Sequence, residues 1–229
     1  MEVIILAGGF GTRLQSVVND VPKPMANING KPFLEYLLEY LSSYDIAKVI
    51  LSVGYKQEII KEYFKNNYKN IQIQYSCEEK PLGTGGAIKK ALELIDNDKA
   101  IILNGDTFIN IDLSQMIHQY QAVDFDIVMG LKKMYNFDRY GVVSIKNNKI
   151  VHFKEKTFVQ DGYINTGTYI IHKTIFDKID LDNFSFEDFM QNNIDKLNIY
   201  PFFCNNSYFI DIGIPSDYEK CKIDFKEIF

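Results

Sequence analysis

The sequence predicts an α/β fold: a central sheet, mainly parallel at first and mixed later, with helices flanking it. Three observations carry this. Short apolar runs alternate with stretches of helical period four times before residue 104, the pattern of βαβ units with right-handed crossovers. The first run, Val3 to Ala7, ends in glycines, as a buried parallel strand entering a loop does. Beyond residue 122 the chain turns strand-rich, with Asn147-Asn148 as a hairpin turn.

The elements follow in order. Residues 8–30 form a long loop, because Pro22-Lys23-Pro24 cannot sit inside a helix. Phe33, Leu34, Leu37, Leu38 and Leu41 make 31–43 an amphipathic helix. Lys48 to Val53 is the second strand, Gln57 to Tyr68 a helix and Ile71 to Tyr75 the third strand. Gly85 to Ile95 is a helix, Ala100 to Leu103 the fourth strand and Asp112 to Ala122 a helix. Strands are expected at 127–131, 142–145, 150–153, 163–171 and 208–212, and helices at 185–197 and 215–228. No internal repeat or linker divides the chain. The expectation is one domain over 1–229, its nucleotide-binding half about 1–110 and its sugar-phosphate half about 111–229.

Composition narrows the function. The formal net charge of −5 supplies no basic field for a nucleic-acid backbone or an anionic membrane surface. No apolar run approaches the length of a membrane span. The three cysteines, Cys77, Cys204 and Cys221, are widely spaced and form no CxxC pair, which fits a reducing cytoplasm. His118, His152 and His172 lack metal-ligand spacing.

Gly8-Gly9-Phe10-Gly11-Thr12-Arg13-Leu14 follows the first strand directly. Glycines let backbone N–H groups approach a phosphate and form an anion-binding nest. A dinucleotide fingerprint would need glycine where Leu14 stands and an acid where Gly54 stands, and no Walker GK[ST] triplet is present. The loop instead ends in Arg13, suited to bidentate phosphate contact, and Lys23 adds a second positive charge. Taken alone, the segment also reads as a turn with surface cations.

The double motif Gly8-Gly9-x-Gly11-Thr12-Arg13-Leu14 with Pro22-Lys23-Pro24 resembles the signature of the sugar-1-phosphate nucleotidylyltransferases. Gln15-Ser16-Val17-Val18 departs from the Pro-Leu-Thr segment of many members. Together with Asn29-Gly30-Lys31-Pro32-Phe33-Leu34, this variant is most similar to the branch acting as D-glycero-D-manno-heptose 1-phosphate guanylyltransferases. The resemblance spans nearly the whole chain. It implies the Rossmann-like nucleotide-diphospho-sugar transferase fold, GTP and a heptose 1-phosphate as substrates, and surface polysaccharide synthesis as the setting. The same chemistry with mannose 1-phosphate, or with UTP, CTP or dTTP and a hexose 1-phosphate, stays open at this point. So does a non-catalytic nucleotide-sugar sensor on the same scaffold, although Arg13, Asp106 and Asp211 are all retained. A homodimer is compatible. The β-helix or second catalytic domain that follows the transferase in many relatives is not expected here.

The resemblance also assigns residues. Leu6, Ala7, Gly8, Gly9, Gly11 and Thr12 would hold the nucleotide, with Gly105 at the end of the fourth strand. Leu82-Gly83-Thr84-Gly85-Gly86-Ala87 opens a helix and in the family faces the base; Gly83 and Thr84 are assigned to the nucleotide. Just upstream, a carboxylate at Glu79 suits the paired N1–H and N2–H₂ donors of guanine. Asp106 closes the fourth strand, where open α/β sheets bind ligands, and Asp211 is flanked by apolar residues that would bury it. Phe209-Ile210-Asp211-Ile212-Gly213-Ile214-Pro215 resembles the family's W-x-D-I-G-T-P segment, with Phe209 and Ile214 replacing Trp and Thr. Both aspartates are expected to bind Mg²⁺. Phe153-Lys154-Glu155-Lys156 matches F-x-E-K, and Asn165-Thr166-Gly167-Thr168-Tyr169 matches N-x-G-x-Y. Glu155, Lys156, Asn165, Thr166 and Gly167 are accordingly assigned to the sugar phosphate, and Arg13 and Lys23 to catalysis.

Overall fold

Period-two burial explains how the first strands sit between two helical layers. The computed structural model describes residues 1–229. In β1 (Glu2–Leu6), Val3 and Ile5 belong to one apolar cluster and Ile4 to another, so the strand buries both faces. Two 3₁₀ turns follow, Thr12–Leu14 and Lys23–Met25, and then a small hairpin of β2 (Asn27–Ile28) and β3 (Lys31–Pro32). The next elements are α1 (Phe33–Leu41), β4 (Lys48–Val53) and α2 (Gln57–Phe64). They lead to β5 (Asn67–Tyr68), β6 (Ile71–Cys77), α3 (Gly83–Leu92) and β7 (Lys99–Asn104). Strands β1, β4, β6 and β7 pair in parallel, as the alternation predicts.

The mixed half begins with β8 (Thr107–Ile109) and α4 (Leu113–Gln119), which is capped by the Asp112 carboxylate. Four antiparallel strands follow: β9 (Ile127–Phe137), β10 (Val142–Lys146), β11 (Lys149–Phe153) and β12 (Val159–His172). The turn between β10 and β11 holds Asn147 and Asn148 at positive φ, which the favoured two-residue hairpin turn requires. The chain ends with α5 (Phe186–Asn192), β13 (Ile199–Phe203), β14 (Phe209–Asp211) and α6 (Pro215–Ile228). The sheet runs β11-β10-β12-β7-β1-β4-β6-β5, with β9 attached to β12 and β13 to β9. Helices α1 and α6 pack on one face through Phe33, Leu34 and Phe225; α3 and α5 pack on the other through Ile88, Phe186 and Phe189.

Two expected helices end at least four residues early. The helix from Gln57 ends at Phe64, because Lys65 takes a positive φ and Tyr68 joins β5. The helix expected from Ser185 spans Phe186–Asn192, with the Ser185 hydroxyl as its cap. The sequence does not predict the short strands β2, β3, β5 and β8, or the longer β13. In β13 the interior Pro201 argues against a strand, and the sheet tolerates it because β13 is an edge.

Candidate active site

The carboxyl ends of β1, β4 and β7 open onto a cleft of about 670 Å³. Leu6 at the end of β1 lines it, with Gly8, Gly9, Gly11, Thr12 and Arg13 from the loop that follows and Asn104 and Asp106 from the end of β7. Lys23, Gly54, Tyr55, Gln57, Glu78, Glu79, Lys80, Gly83 and Thr84 complete most of the wall. Most nucleotide-binding residues expected from sequence therefore share one cavity. Gly11 has φ +60°, and a Cβ there would stand 2.7 Å from the Lys23 Cβ, so only glycine lets the loop lie against the lysine. Ala7 and Gly105 lie just behind the lining. Ala7 donates its N–H to the Ser52 carbonyl and Gly105 donates to the Leu6 carbonyl, so both pin the loop to its neighbours.

Asp106 and Asp211 meet across β8 and β14. Those strands pair with Asp211 opposite Thr107, and the Ile212 N–H donates to the Asp106 carbonyl at 3.0 Å. The buried Lys23 ammonium lies 2.6 Å from Asp106 Oδ2 and 3.5 Å from Asp211 Oδ1. Asp211 Oδ1 also accepts from the Gly213 N–H at 2.7 Å. Burial, and then the neighbouring Asp106, push the Asp211 carboxyl above its ordinary range despite Lys23 and Arg139. Two carboxylates thus converge on one cation in a half-dry setting. No three or more His, Cys, Asp or Glu side chains of the chain are grouped so that they could hold a metal ion by themselves. Two carboxylates alone suit a hard divalent ion such as Mg²⁺, which completes its shell with phosphate oxygens and water. The donor set fits magnesium once Lys23 yields the carboxylate oxygens.

Arg139, which sequence reasoning missed, is the second cation here. It pairs with Asp217 on α6 and reaches within 4.0 Å of Asp211. It lies in a loop without a distinctive motif, and only the fold brings it to the acids.

Glu78 stands beside Glu79, the carboxylate expected from sequence, on the cleft wall. Both line the cleft, but Glu79 is exposed while Glu78 is half-buried and fixed. One Glu78 oxygen accepts from the Ser52 hydroxyl at 3.3 Å, and the other accepts from the Leu82 N–H at 3.1 Å. A Cβ on Gly8 would come within 2.5 Å of that first oxygen, so Glu78 lies against the glycine loop. Glu78 is the more firmly held of the two carboxylates.

Other assignments divide. Thr84 lines the cleft, yet its hydroxyl is already engaged with α5. Gly85 and Gly86 donate their N–H groups to the Phe184 carbonyl and not toward the cleft. Thr166 is buried, with its hydroxyl donated to the Gly130 carbonyl at 2.9 Å, which is a structural role. Gly167 has φ +72° and lies against Asn104 at the cleft; the Asn165 side-chain oxygen Oδ1 accepts the Gly167 N–H at 3.0 Å. Glu155 and Lys156 are exposed in the segment after β11 and do not line the cleft. The Lys154 carbonyl in that segment packs on Gly141, two residues after Arg139.

A mixed sheet with a glycine-rich loop, two cations and an acid pair at one edge defines a phosphate-handling α/β protein. The chain belongs to the nucleotidyl transferase family, whose model matches residues 2–227. It is 50% identical over 220 residues to a D-glycero-alpha-D-manno-heptose 1-phosphate guanylyltransferase of Campylobacter jejuni, covering 95% of this chain and 97% of that protein. The enzyme of the same name from Aneurinibacillus thermoaerophilus is 47% identical, with 97% of each chain covered. The crystal structure of HddC from Yersinia pseudotuberculosis complexed with GMP-PN superposes with a TM-score of 0.85 at 41% identity, covering 98% of this chain and 99% of that one.

Proposed function

We propose that this protein transfers GMP from GTP to D-glycero-α-D-manno-heptose 1-phosphate, giving a nucleotide-diphospho-heptose and pyrophosphate. The observation that carries this reading is the convergence of Arg13, Lys23 and Asp106 on one cleft, with Asp211 in contact with Lys23. The full-length similarity to two heptose 1-phosphate guanylyltransferases supports the choice of substrates. The whole chain acts as one transferase domain in this reading.

The attacking group is a phosphate oxygen of the sugar 1-phosphate, already carrying about 1.5 to 2 negative charges near pH 7. It needs no general base. It attacks the α-phosphorus in line, and pyrophosphate leaves. What the chain supplies is positioning and charge. N–H groups of the Gly8–Thr12 loop cradle the phosphates. Arg13, exposed on the wall, pairs with charge building on the leaving pyrophosphate. Lys23 leaves the acid pair for the triphosphate near the reacting centre. Asp106 and Asp211 would hold magnesium, which when bound neutralises phosphate oxygens. Glu78 accepts from the guanine donors, and no other common base presents that pair. Asn165 and Gly167, with the exposed Glu155-Lys156 segment from outside the nucleotide cleft, receive the acceptor. Magnesium dependence, a cytoplasmic setting, a role in capsule or other surface polysaccharide synthesis and a homodimeric assembly are parts of the same proposal. No helix of the chain is long and apolar enough to cross a membrane.

The test is product identification. The protein, GTP, the heptose 1-phosphate and Mg²⁺ are incubated and the nucleotide product is identified by mass spectrometry. The GDP-linked heptose should appear together with pyrophosphate. GTP consumption without a sugar nucleotide would refute the proposal.

A further inference from the structure

Helix α5 carries Glu187 and Gln191 one turn apart, on one face, and each holds a different loop. Toward the base side, the Glu187 carboxylate accepts from the Thr84 hydroxyl at 3.0 Å, and the Phe186 N–H donates to the same hydroxyl oxygen at 2.8 Å. The Ser185 hydroxyl donates to the same Glu187 oxygen at 3.2 Å and so fixes the side chain. Toward the acceptor side, the Gln191 side-chain oxygen Oε1 accepts the Phe153 N–H at 3.0 Å. Phe153 is the last residue of β11, and the Lys154–Lys156 segment departs from it.

The residues leading into α5 bind the base-side loop further. The Phe184 carbonyl accepts the Gly85 N–H at 2.9 Å, and the Phe184 N–H donates to the Leu82 carbonyl at 3.0 Å. The Asn183 amide donates to the Pro81 carbonyl at 2.8 Å. A Cβ on Gly85 would fall 2.2 Å from the Phe184 ring, and one on Gly86 would fall 2.0 Å from the Asp182 carbonyl oxygen. These two glycines thus make room for this strap, not for a ligand. The helix is a firm base for both contacts. Phe186 and Phe189 are buried, and Phe186 packs edge-on against Tyr169, whose hydroxyl accepts from the Asn165 amide at 2.6 Å.

We propose that α5 is the common anchor of the two substrate loops, with Glu187 positioning the base-side loop through Thr84 and Gln191 positioning the acceptor segment through Phe153. This rests on the functional reading above, in which residues 78–84 face the base and 154–156 the sugar phosphate. Neither residue touches substrate. Each sets where a loop that does so stands, so each governs one substrate and not the other.

The test uses Glu187→Ala, Gln191→Ala and the conservative Glu187→Gln and Gln191→Glu, which keep an acceptor oxygen. Steady-state kinetics with GTP and the heptose 1-phosphate are read beside hydrogen exchange of residues 82–86 and 153–156. Glu187→Ala should raise KM for GTP about three- to tenfold, the worth of one hydrogen bond, with the acceptor KM and kcat held. Gln191→Ala should do the reverse. Each conservative variant should stay within about twofold of wild type. Exchange should quicken in 82–86 for the first variant and in 153–156 for the second. Equal changes in both KM values, or a lower Tm with neither KM moved, would reduce α5 to plain scaffold and overturn the proposal. A wild-type protein that releases no pyrophosphate from GTP would defeat the functional reading instead. The exchange data would then decide the anchor: unequal local loosening supports it, and uniform loosening rejects it.

Discussion

Lys23 and Asp106 form an ion pair of 2.6 Å between side chains 83 residues apart in sequence. The pair also reaches Asp211, so one ammonium answers two carboxylates. Replacing Lys23 with Met leaves both acids without their nearest cation. The expected cost is about 1.5–3 kcal/mol of stability, and turnover should fall about 10²–10³-fold. Urea unfolding and pyrophosphate release measure the two effects. A stable, fully active Lys23→Met enzyme would contradict the arrangement.

Asp211 should trade stability for function. Its carboxyl is held above the ordinary range chiefly by burial, so the native state binds that proton more tightly than the unfolded chain does. The ionised form therefore opposes folding. The penalty is fully present above the raised native value and disappears as pH falls below the unfolded value near 3.8. Asp211→Asn keeps an acceptor for the Gly213 N–H and removes the charge. Its Tm at pH 7 should exceed that of wild type by about 2–4 °C per kcal/mol relieved, while activity drops. The gap should narrow as the pH is lowered toward 4. A variant that melts below wild type at pH 7 would reverse the reasoning.

Arg13 is exposed and makes no side-chain bond that folding depends on. Arg13→Ala should leave the melting curve in place and cut kcat about 10²–10³-fold. Turnover within about tenfold of wild type would remove Arg13 from the chemistry.

Glu78, half-buried and held, and its exposed neighbour Glu79 should behave differently under the proposal that Glu78 reads the base. Glu78→Gln should raise KM for GTP and narrow the preference for GTP over ATP by about tenfold or more, because an amide cannot accept two donors as a carboxylate does. Glu79→Gln should change neither. Nucleotide selectivity of the two variants is the measurement, and the opposite ranking would restore Glu79.

Much of this site was legible because its chemistry is local in sequence. The glycines after β1, the Pro22-Lys23-Pro24 segment and two acids at the ends of apolar strands each announce a role within a few residues. What stayed hidden depends on register or on distance. The strand expected to stop at Tyr75 runs to Cys77, so which of the two following glutamates turns inward could not be phased. Gly85 and Gly86 carry the look of a ligand loop, but the atoms that need their missing Cβ belong to Asp182 and Phe184, about a hundred residues away. Arg139 reaches Asp211 only through the packing of α6 and β14, and the interior Pro201 hides edge strand β13.

The most direct measurement is the rate of pyrophosphate release across a matrix of GTP, ATP, UTP, CTP and dTTP against heptose, mannose and glucose 1-phosphates. GTP with D-glycero-α-D-manno-heptose 1-phosphate should give the highest kcat/KM. A clear preference for UTP, CTP or dTTP with a hexose 1-phosphate would contradict guanylyl transfer at this cleft.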